Sequence, residues 1–247
     1  MTTLTIAITA HSETIVSGPT FRSVRAALAG VEARGAEVQL LLGLDRCTEA
    51  SHAFMTQAAL DDFDRHAFDF GDQGKTRNAL ADLARGRFLA FVDADDLVSE
   101  NWLTGALDLL ERPENDRAIV HPELNWLFDG VNNVYASPAQ DHPFFSPRVM
   151  PAANYYDAIC VAPRAAWQDI RYADRDVARG YAFEDYQWFV EATAAGWRHL
   201  TARDTIVFKR RRDASQTHES RNNSVLIRTI EPLAIDRIAD MAGDAGR

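Results

Sequence analysis

Four apolar runs of strand length recur in the first part of the sequence, with stretches of helical spacing between them. The runs cover residues 4–10, 38–44, roughly 66–70, and 88–92. Between the first two runs, apolar residues repeat at intervals of three and four, which is the stripe of a helix that covers a sheet. This alternation predicts an α/β fold built on a single doubly wound, mostly parallel sheet.

The sequence after residue 117 has a different character. Residues 118–141 are rich in Asn and aromatic residues, and prolines interrupt residues 142–151. We expect antiparallel strands and long loops here, as a small extension of the sheet. A further helix is predicted over residues 183–195, where Gly196 ends it.

Size and charge exclude several classes of protein. The 247 residues are 47% hydrophobic and 25% charged, which suits one large globular domain. The net charge of -10 argues against a general binder of nucleic acid or of anionic membranes. Cys47 and Cys160 make no metal-binding spacing, no apolar run approaches the roughly 18 residues of a membrane span, and the N-terminus has no signal-peptide pattern. These features predict a cytoplasmic protein.

The fourth apolar run ends abruptly at three carboxylates, in the sequence FVDADD at residues 91–96. Ligands of an open α/β sheet collect at the carboxyl ends of its strands, so Asp93 and Asp95 would face a binding crevice. Two acids in one crevice repel each other unless a cation joins them, and a hard divalent ion is the usual partner. The alternative is that the aspartates form a turn and cap a helix from about Ser99, which is the simpler explanation for Asp96.

Two more charged clusters lie in the second half. Glu184 and Asp185 open the predicted helix at residues 183–195, where they could serve catalysis or only favour the helix dipole. The run Lys209 to Arg212 follows a short apolar strand in an otherwise acidic protein. An arginine fork is a natural partner for a diphosphate, whereas a run of like charges is also typical of a solvated surface.

Two segments of the sequence resemble motifs of a known family. Residues 74–96, GKTRNALADLARGRFLAFVDADD, are similar to the order of Gly, Arg-Asn, Ala-rich helix, strand and Asp-X-Asp in family 2 glycosyltransferases. FEDYQW at residues 183–188 is similar to the Glu-Asp motif of that family. The resemblance covers about residues 3–220, and it implies the GT-A fold and metal-dependent transfer of a sugar, with inversion, from a nucleotide diphosphate donor. UDP is the favoured nucleotide by prevalence.

The resemblance also implies a division of the chain. A GT-A domain would cover residues 1–220, with a nucleotide-sugar-binding half at 1–117 and an acceptor-binding and catalytic half at 118–220. Residues 221–247 would form an amphipathic helical tail. We expect this tail to pack on its own domain, with dimerisation or peripheral contact with the inner face of a membrane as alternatives.

Donor contacts are assigned by resemblance to positions at the strand ends and in the central block. The family often has Pro-Thr-Tyr-Asn after the first strand, where this chain has Thr9, Ala10, His11 and Ser12, so the resemblance leaves the base open. The implied donor-binding residues are Thr9, Ala10, His11, Asp45, Lys75, Arg77, Asn78, Asp93, Ala94, Arg210 and Arg212.

The chemistry implied by the resemblance needs a cation and a base. Asp95 would be the main ligand of Mn2+ or Mg2+, Asp93 would contact both ribose and ion, and His218 would be a further ligand, unless it is only a solvated histidine. The ion would neutralise charge on the departing diphosphate. Asp185 is the predicted base that removes the acceptor proton, and Glu184 is the alternative, or a contact to acceptor or donor sugar.

The acceptor and two other functions stay open. We expect the acceptor to bind near residues 121–156, and a saccharide or a lipid-linked saccharide of a bacterial glycan or polysaccharide would fit the family. A catalytically inactive protein of the same fold would bind the donor alone. A phosphatase of the haloacid dehalogenase type also has Asp-X-Asp after a strand, but on its first strand and with a following Thr or Val.

Overall fold

The computed structural model of this protein describes residues 2–211 and 225–233. Its first four strands are β1 (Leu4–Ala10), β2 (Val38–Asp45), β3 (Asp64–Phe68) and β4 (Phe88–Asp93). All four run parallel, in the spatial order β3-β2-β1-β4. The predicted parallel sheet is therefore confirmed, and the carboxyl ends of β1, β2 and β4 meet at one edge.

Helices cover both faces of this parallel sheet. They are α1 (Ser17–Glu32), α2 (Glu49–Met55), α3 (Gln73–Leu83) and α4 (Trp102–Leu110). The apolar stripe predicted for the first helix is buried in α1, which packs with α4 in one core cluster. Residues of α3 belong to a second cluster on the opposite face. Two separate cores are what a doubly wound sheet requires.

The second half extends the sheet with strands of mixed direction. These strands are β5 (Leu97–Val98), β6 (Ala118–Phe128), β7 (Asn133–Ala136), β8 (Val161–Pro163) and β9 (Arg198–Arg210). β8 lies antiparallel between β4 and β6, while β5 and β7 pair antiparallel with β9 and β6. The antiparallel extension is confirmed, and the long parallel pair of β6 with β9 is an addition that the sequence did not indicate.

Two helices complete the second core cluster. They are α5 (Ala165–Asp169) and α6 (Glu184–Ala194). Trp188 on α6 stacks on Trp167 of α5 at 5.0 Å between ring centroids, and its indole N–H donates to the Ile170 carbonyl at 2.9 Å. Trp188 is fully buried, as expected for a core residue, and it fixes α6 against the sheet.

The predicted third strand lies a few residues earlier along the chain than its apolar run at about 66–70. β3 starts at Asp64, which pairs with Leu41 of β2, and ends at Phe68, which pairs with Asp45. Pairing with β2, and not hydrophobicity, determines where this strand begins and ends.

The described part of the tail packs on its own domain. Leu226 forms a parallel bridge with Tyr181, and Ile227 and Ile230 pack against the second core cluster. Its regular structure is a 3-10 turn at Glu231–Leu233, and the rest of the predicted helical tail lies outside the described residues. Within residues 2–211 and 225–233, no helix is both long and apolar enough to cross a membrane.

Candidate active site

A pocket of about 1100 Å³ opens at the carboxyl edge of the sheet. Its lining joins the ends of β1 and β4, the start of α6, the end of β9 and the tail segment 225–233. Both motifs that carry the family resemblance reach this pocket, because Asp93, Asp95, Glu184 and Asp185 all line it. Segments almost 100 residues apart in sequence therefore share one cavity.

Asp93 lies at the centre of a polar network at the end of β4. Its Oδ1 accepts hydrogen bonds from Thr9 Oγ1 at 3.1 Å, Gln73 Nε2 at 2.6 Å and the Arg77 guanidinium at 2.8 Å. Its Oδ2 pairs with Lys209 Nζ at 2.8 Å. Burial alone would raise the pKa of Asp93, but the charges of Lys209 and Arg77 outweigh it and hold the pKa well below its usual range. Asp93 is therefore ionised.

Lys209 lies among three carboxylates. Its Nζ is 2.8 Å from Asp93, 2.8 Å from Asp96 and 3.1 Å from Asp157. Burial opposes a charged ammonium here, yet these three acids raise the pKa of Lys209 well above its ordinary value. The side chain is only 12% exposed, so a buried cation lies beside the Asp-X-Asp motif.

Asp96 is fully buried behind the pocket and does not cap a helix. Its Oδ1 accepts the backbone N–H of Arg210 at 2.8 Å, so it ties the turn after β4 to the end of β9. Burial raises the pKa of Asp96 well above its ordinary value. The capping explanation from the sequence is wrong for this residue, because α4 begins only at Trp102, after Asn101.

Asp95 is the acid of the motif that best suits a divalent cation. It lines the pocket, and Arg210 approaches its Oδ2 at 4.0 Å. Asp93 fits a metal poorly, because both of its oxygens already bind cationic groups. Within the described part of the chain, no group of three or more His, Cys, Asp or Glu could hold a metal ion. His218 and Arg212 lie outside the described residues, so their predicted contacts stay predictions.

Glu184 and Asp185 form the opposite wall of the pocket. Phe183, with φ of 64°, turns the chain into α6, so both acids lie in the first helical turn. Burial and the charge of Asp185 raise the pKa of Glu184 to about 7. Burial, with a contribution from Asp157, raises the pKa of Asp185. A simple helix cap would be solvated, whereas these two acids are only partly exposed at the cavity wall.

Arg77 joins the two walls. Its guanidinium contacts Asp93 at 2.8 Å on one side and Glu184 at 3.5 Å on the other. The side chain is 1% exposed and lies 5.6 Å from the centre of the Tyr172 ring. The predicted Arg-Asn pair of α3 thus contributes its arginine directly to the site.

The predicted contacts at the end of β1 also lie at the pocket. Thr9, Ala10, His11 and Ala94 all line it. His11 Nδ1 is 2.7 Å from the carbonyl oxygen of Asp45, which can only accept, so this ring nitrogen carries the proton. The backbone of Ala94 donates to the Thr9 carbonyl at 3.0 Å, which holds the ends of β1 and β4 together.

Asp45 lines the pocket but uses its carboxylate within the protein. Its Oδ1 accepts the backbone N–H groups of Phe70 and Gly71, at 2.8 and 3.1 Å. Its Oδ2 accepts the N–H of Asp72 and the hydroxyl of Thr76, at 3.1 and 3.0 Å. The carboxylate thus holds the loop that precedes α3, and the predicted donor contact of Asp45 stays a prediction.

The remaining predicted residues have partners away from the cavity. Lys75 pairs with Asp174 at 3.4 Å on the surface. Asn78 bonds both backbone polar groups of Tyr172, donating to its carbonyl at 2.9 Å and accepting its N–H at 3.0 Å. Asn78 therefore fixes the segment before α6. Arg210 lines the pocket and also pairs with Asp129 at 2.6 Å.

Sequence reasoning missed three residues of the network. Gln73 lies directly before the block 74–96 and Lys209 begins the basic run, but nothing in those patterns indicates that they bind Asp93. Asp157 lies in an irregular segment between Asn154 and β8 and carries no motif. One signal could have drawn attention to Lys209, because the basic run begins at the end of a strand.

Comparisons with known proteins agree with the fold of this chain. Residues 25–125 match the family model described as glycosyl transferase family 2. The structure of S. aureus TarS 1-349 in complex with UDP-GlcNAc has a TM-score of 0.64 at 16% identity, and TarS 1-349 alone has 0.63 at 14%. These alignments cover 86% and 84% of this chain and 60% of each TarS 1-349 chain, so the chain spans well under two thirds of that length. No curated protein sequence matches the chain.

The likeness to TarS concerns the fold alone, since identity is low, while the family model adds a sequence match that includes the Arg77 and Asp-X-Asp block. Both findings agree with the expectation drawn from the motifs. The predicted resemblance is therefore confirmed: the chain has the α/β fold of its GT-A neighbours and, over residues 25–125, is similar to glycosyl transferase family 2.

Proposed function

We propose that this chain is an inverting glycosyltransferase that moves a sugar from a nucleotide diphosphate donor to a hydroxyl of a saccharide. One observation carries the proposal. An ionised Asp93, held by Arg77 and Lys209, faces the acid pair Glu184 and Asp185 across a single pocket. The TarS complex with UDP-GlcNAc supports a UDP-sugar as the donor.

The donor side of the pocket combines a nucleoside-binding edge with buried positive charge. The ends of β1 and β4 form the edge, through Thr9, His11 and Ala94. Negative charge grows on the diphosphate as the bond from the anomeric carbon breaks. Preorganised cations stabilise such charge strongly in a water-poor site, and Arg77 and Arg210 are placed to do so.

Asp185 is the proposed base. A hydroxyl becomes an effective nucleophile when a positioned group takes its proton in the transition state, and a base works best with a pKa near the working pH. Burial moves the pKa of Asp185 in that direction. Glu184, paired with Arg77, would orient the sugar or the base.

A divalent cation remains part of this proposal as a prediction. When bound, Mn2+ or Mg2+ would supply further neutralisation of the diphosphate. Asp95 is the described residue that fits such an ion, by its position on the pocket wall. Asp93 would act through Arg77 and Lys209.

The acceptor would bind beside α6. Four aromatic side chains line this part of the pocket, and aromatic faces suit the apolar faces of sugar rings. They are Tyr135, Tyr156, Phe183 and Tyr186. We propose a saccharide or a lipid-linked saccharide of a bacterial glycan as the acceptor.

The test separates donor binding from transfer. We expect Asp185→Asn to bind UDP in calorimetry like the wild type and to lose transfer by roughly 100-fold to 10,000-fold. Asp95→Ala should also lose transfer, because Asp95 is the proposed ligand of the divalent ion. Asp108→Asn, which removes an exposed acid paired with Arg34, is the matched control. Unchanged transfer in Asp185→Asn would remove this residue as the base.

The same experiments separate the alternative functions. An inactive donor-binding protein would bind UDP or GDP without transferring sugar from any donor. A phosphatase with Asp93 as nucleophile would hydrolyse simple phosphate esters, but both oxygens of Asp93 are engaged by neighbouring groups. Its strand is also the fourth in the chain and not the first.

A further inference from the structure

The proposed sugar-transfer chemistry gives no role to the buried ammonium of Lys209. It follows Phe208 on β9, and its side chain crosses to the turn after β4, where the Asp-X-Asp motif lies. An ammonium has three N–H donors. Three carboxylates surround this one, at 2.8, 2.8 and 3.1 Å from Nζ, and it donates a hydrogen bond to Asp93 Oδ2.

Two of the three acids belong to the motif at the end of β4, and the third comes from a distant segment. Asp93 ends β4, Asp96 belongs to the following turn and Asp157 lies before β8. Three carboxylates that converge on one point are the usual setting for a hard divalent ion with oxygen ligands. In this chain the Lys209 ammonium lies at that point, and it supplies the positive charge that an ion would otherwise provide.

The Lys209 ammonium also makes the surroundings of Asp93 less favourable for a metal ion. An ion that bridged Asp93 would approach a like charge and compete for the Oδ2 atom that Lys209 holds at 2.8 Å. The other oxygen of Asp93 is held by Arg77 and Gln73. The first acid of the motif is thus neutralised by protein groups on both sides.

We propose that Lys209 is a built-in counter-cation for Asp93, Asp96 and Asp157, so that a nucleoside diphosphate binds this pocket without a divalent ion bridging those carboxylates. Lys209 acts here as a positioning residue: it cancels the repulsion between the acids and the diphosphate. The inference rests on the proposed function, because it concerns the same donor site.

Wild-type protein gives the first test. Calorimetry with UDP in EDTA and in Mn2+ should give dissociation constants within about fivefold of each other, which is about 1 kcal/mol. UDP binding that requires Mn2+ would overturn the inference and leave the proposed function intact. Absence of UDP, GDP and dTDP binding in both conditions would overturn the proposed function and the inference with it.

A variant gives the second test, with a readout that a merely structural lysine would not move. Lys209→Met removes the charge at similar length and leaves three acids without their cation. We expect it to lose UDP binding in EDTA by at least about tenfold and to bind Mn2+ in the absence of nucleotide, seen by electron paramagnetic resonance. Wild-type protein should show no such tight Mn2+ site. Equal Mn2+ binding by both proteins would overturn the inference.

Two controls keep this test informative. Arg25→Met removes an exposed cation paired with Asp62 at 2.7 Å and should behave like the wild type in both measurements. If Lys209→Met is poorly folded, Mn2+ should raise its melting temperature by several degrees while leaving that of the wild type unchanged. A melting temperature of the variant that Mn2+ does not alter would contradict the inference.

Discussion

The two acidic walls of the pocket contain the same kind of side chain in opposite electrostatic states. On the donor wall, Asp93 has two cationic partners and a pKa far below its usual range. On the base wall, Arg77 contacts Glu184 at 3.5 Å, and burial outweighs the nearby cations and raises the pKa of both Glu184 and Asp185. The difference shows that burial alone does not determine the charge of an acid, because the number of buried cations beside it decides.

This asymmetry suits two tasks in one cavity. Pairs of carboxylates whose environments push their pKa values apart are typical of sites where one acid holds charge and another exchanges protons. Arg77 links the two, since it touches Asp93 and Glu184. A substitution on one wall should therefore affect the acids on the other wall.

The largest expected effect comes from breaking the donor wall with Asp93→Asn. The variant leaves Arg77 and Lys209 buried with one acidic partner fewer, and removing one member of a buried ion pair costs about 3–5 kcal/mol. Transfer should also fall by at least roughly 100-fold, since Arg77 loses its anchor. Urea unfolding and a transfer assay measure both effects.

The matched control for this change is Asp108→Asn. Asp108 pairs with Arg34 at the surface, where both side chains are about half exposed. An exposed pair contributes about 0–1 kcal/mol, so its loss should be barely visible. A similar unfolding free energy in the two variants would show that the network around Asp93 adds no special stability.

The pH dependence of transfer and of donor binding should distinguish the roles of the two walls. A base with a raised pKa takes up its proton at a higher pH than a free aspartate, so kcat/KM should fall about tenfold per pH unit once the pH drops below that pKa. Binding of UDP-GlcNAc should stay constant while transfer falls, because Asp93 remains ionised and Lys209 remains charged. Transfer and binding that fall together at the same pH would contradict the assignment.

Glu184→Gln identifies which acid causes that pH dependence. With Asp185 as the base, the variant should still lose activity at acidic pH, because the proton-accepting group is intact. Disappearance of the acid limb would assign it to Glu184, whose pKa is about 7. Parallel calorimetry with UDP-GlcNAc shows whether donor binding is unchanged in the variant.

The parallel strands of the donor half were predictable to within about two residues. β1 covers Leu4–Ala10 as expected, since all seven of its residues are buried and most of them are apolar. In the second half, β6 and β9 carry Asn, His, Thr and Asp among their apolar residues. Those strands pair with each other although they are far apart in the sequence, and local patterns do not show such pairing.

The site residues that belong to sequence motifs were predictable. Those that the fold brings together from distant segments were not. Asp93, Asp185 and Arg77 lie within motifs and reach the pocket. Lys209 and Asp157 meet Asp93 only because β9 and the segment before β8 approach the end of β4. No spacing in the sequence indicates that these residues lie close together in the fold.

A pair of buried histidines behind the base wall should make stability depend on pH. His121 Nε2 lies 2.8 Å from His199 Nδ1, and Tyr156, which lines the pocket, stacks on His121 at 3.9 Å. Burial lowers the pKa of His199 to about 3, and burial with His199 lowers that of His121. Both stay neutral in the folded protein while the unfolded chain takes up protons below about pH 6.5.

Folding stability should therefore fall as the pH drops below 6.5, by about 1.4 kcal/mol per pH unit for each histidine. Raised acid pKa values on the base wall act in the opposite sense, so the comparison needs a variant. Urea unfolding of His121→Phe at pH 7.5 and 5.5 should show a smaller acid-induced loss than the wild type. Equal losses in both proteins would contradict this account, and His52→Gln on the surface serves as the control.

The smallest effect is expected at Lys75, which belongs to neither wall although it lies two residues from Arg77. Its ammonium points to Asp174 at 3.4 Å, and both side chains are largely exposed. Lys75→Ala should cost less than about 1 kcal/mol in urea unfolding and change the KM for donor less than about twofold. A large rise in KM would mean that Lys75 reaches the diphosphate after all. The donor wall would then extend along the start of α3, and its charge would no longer come from buried cations alone.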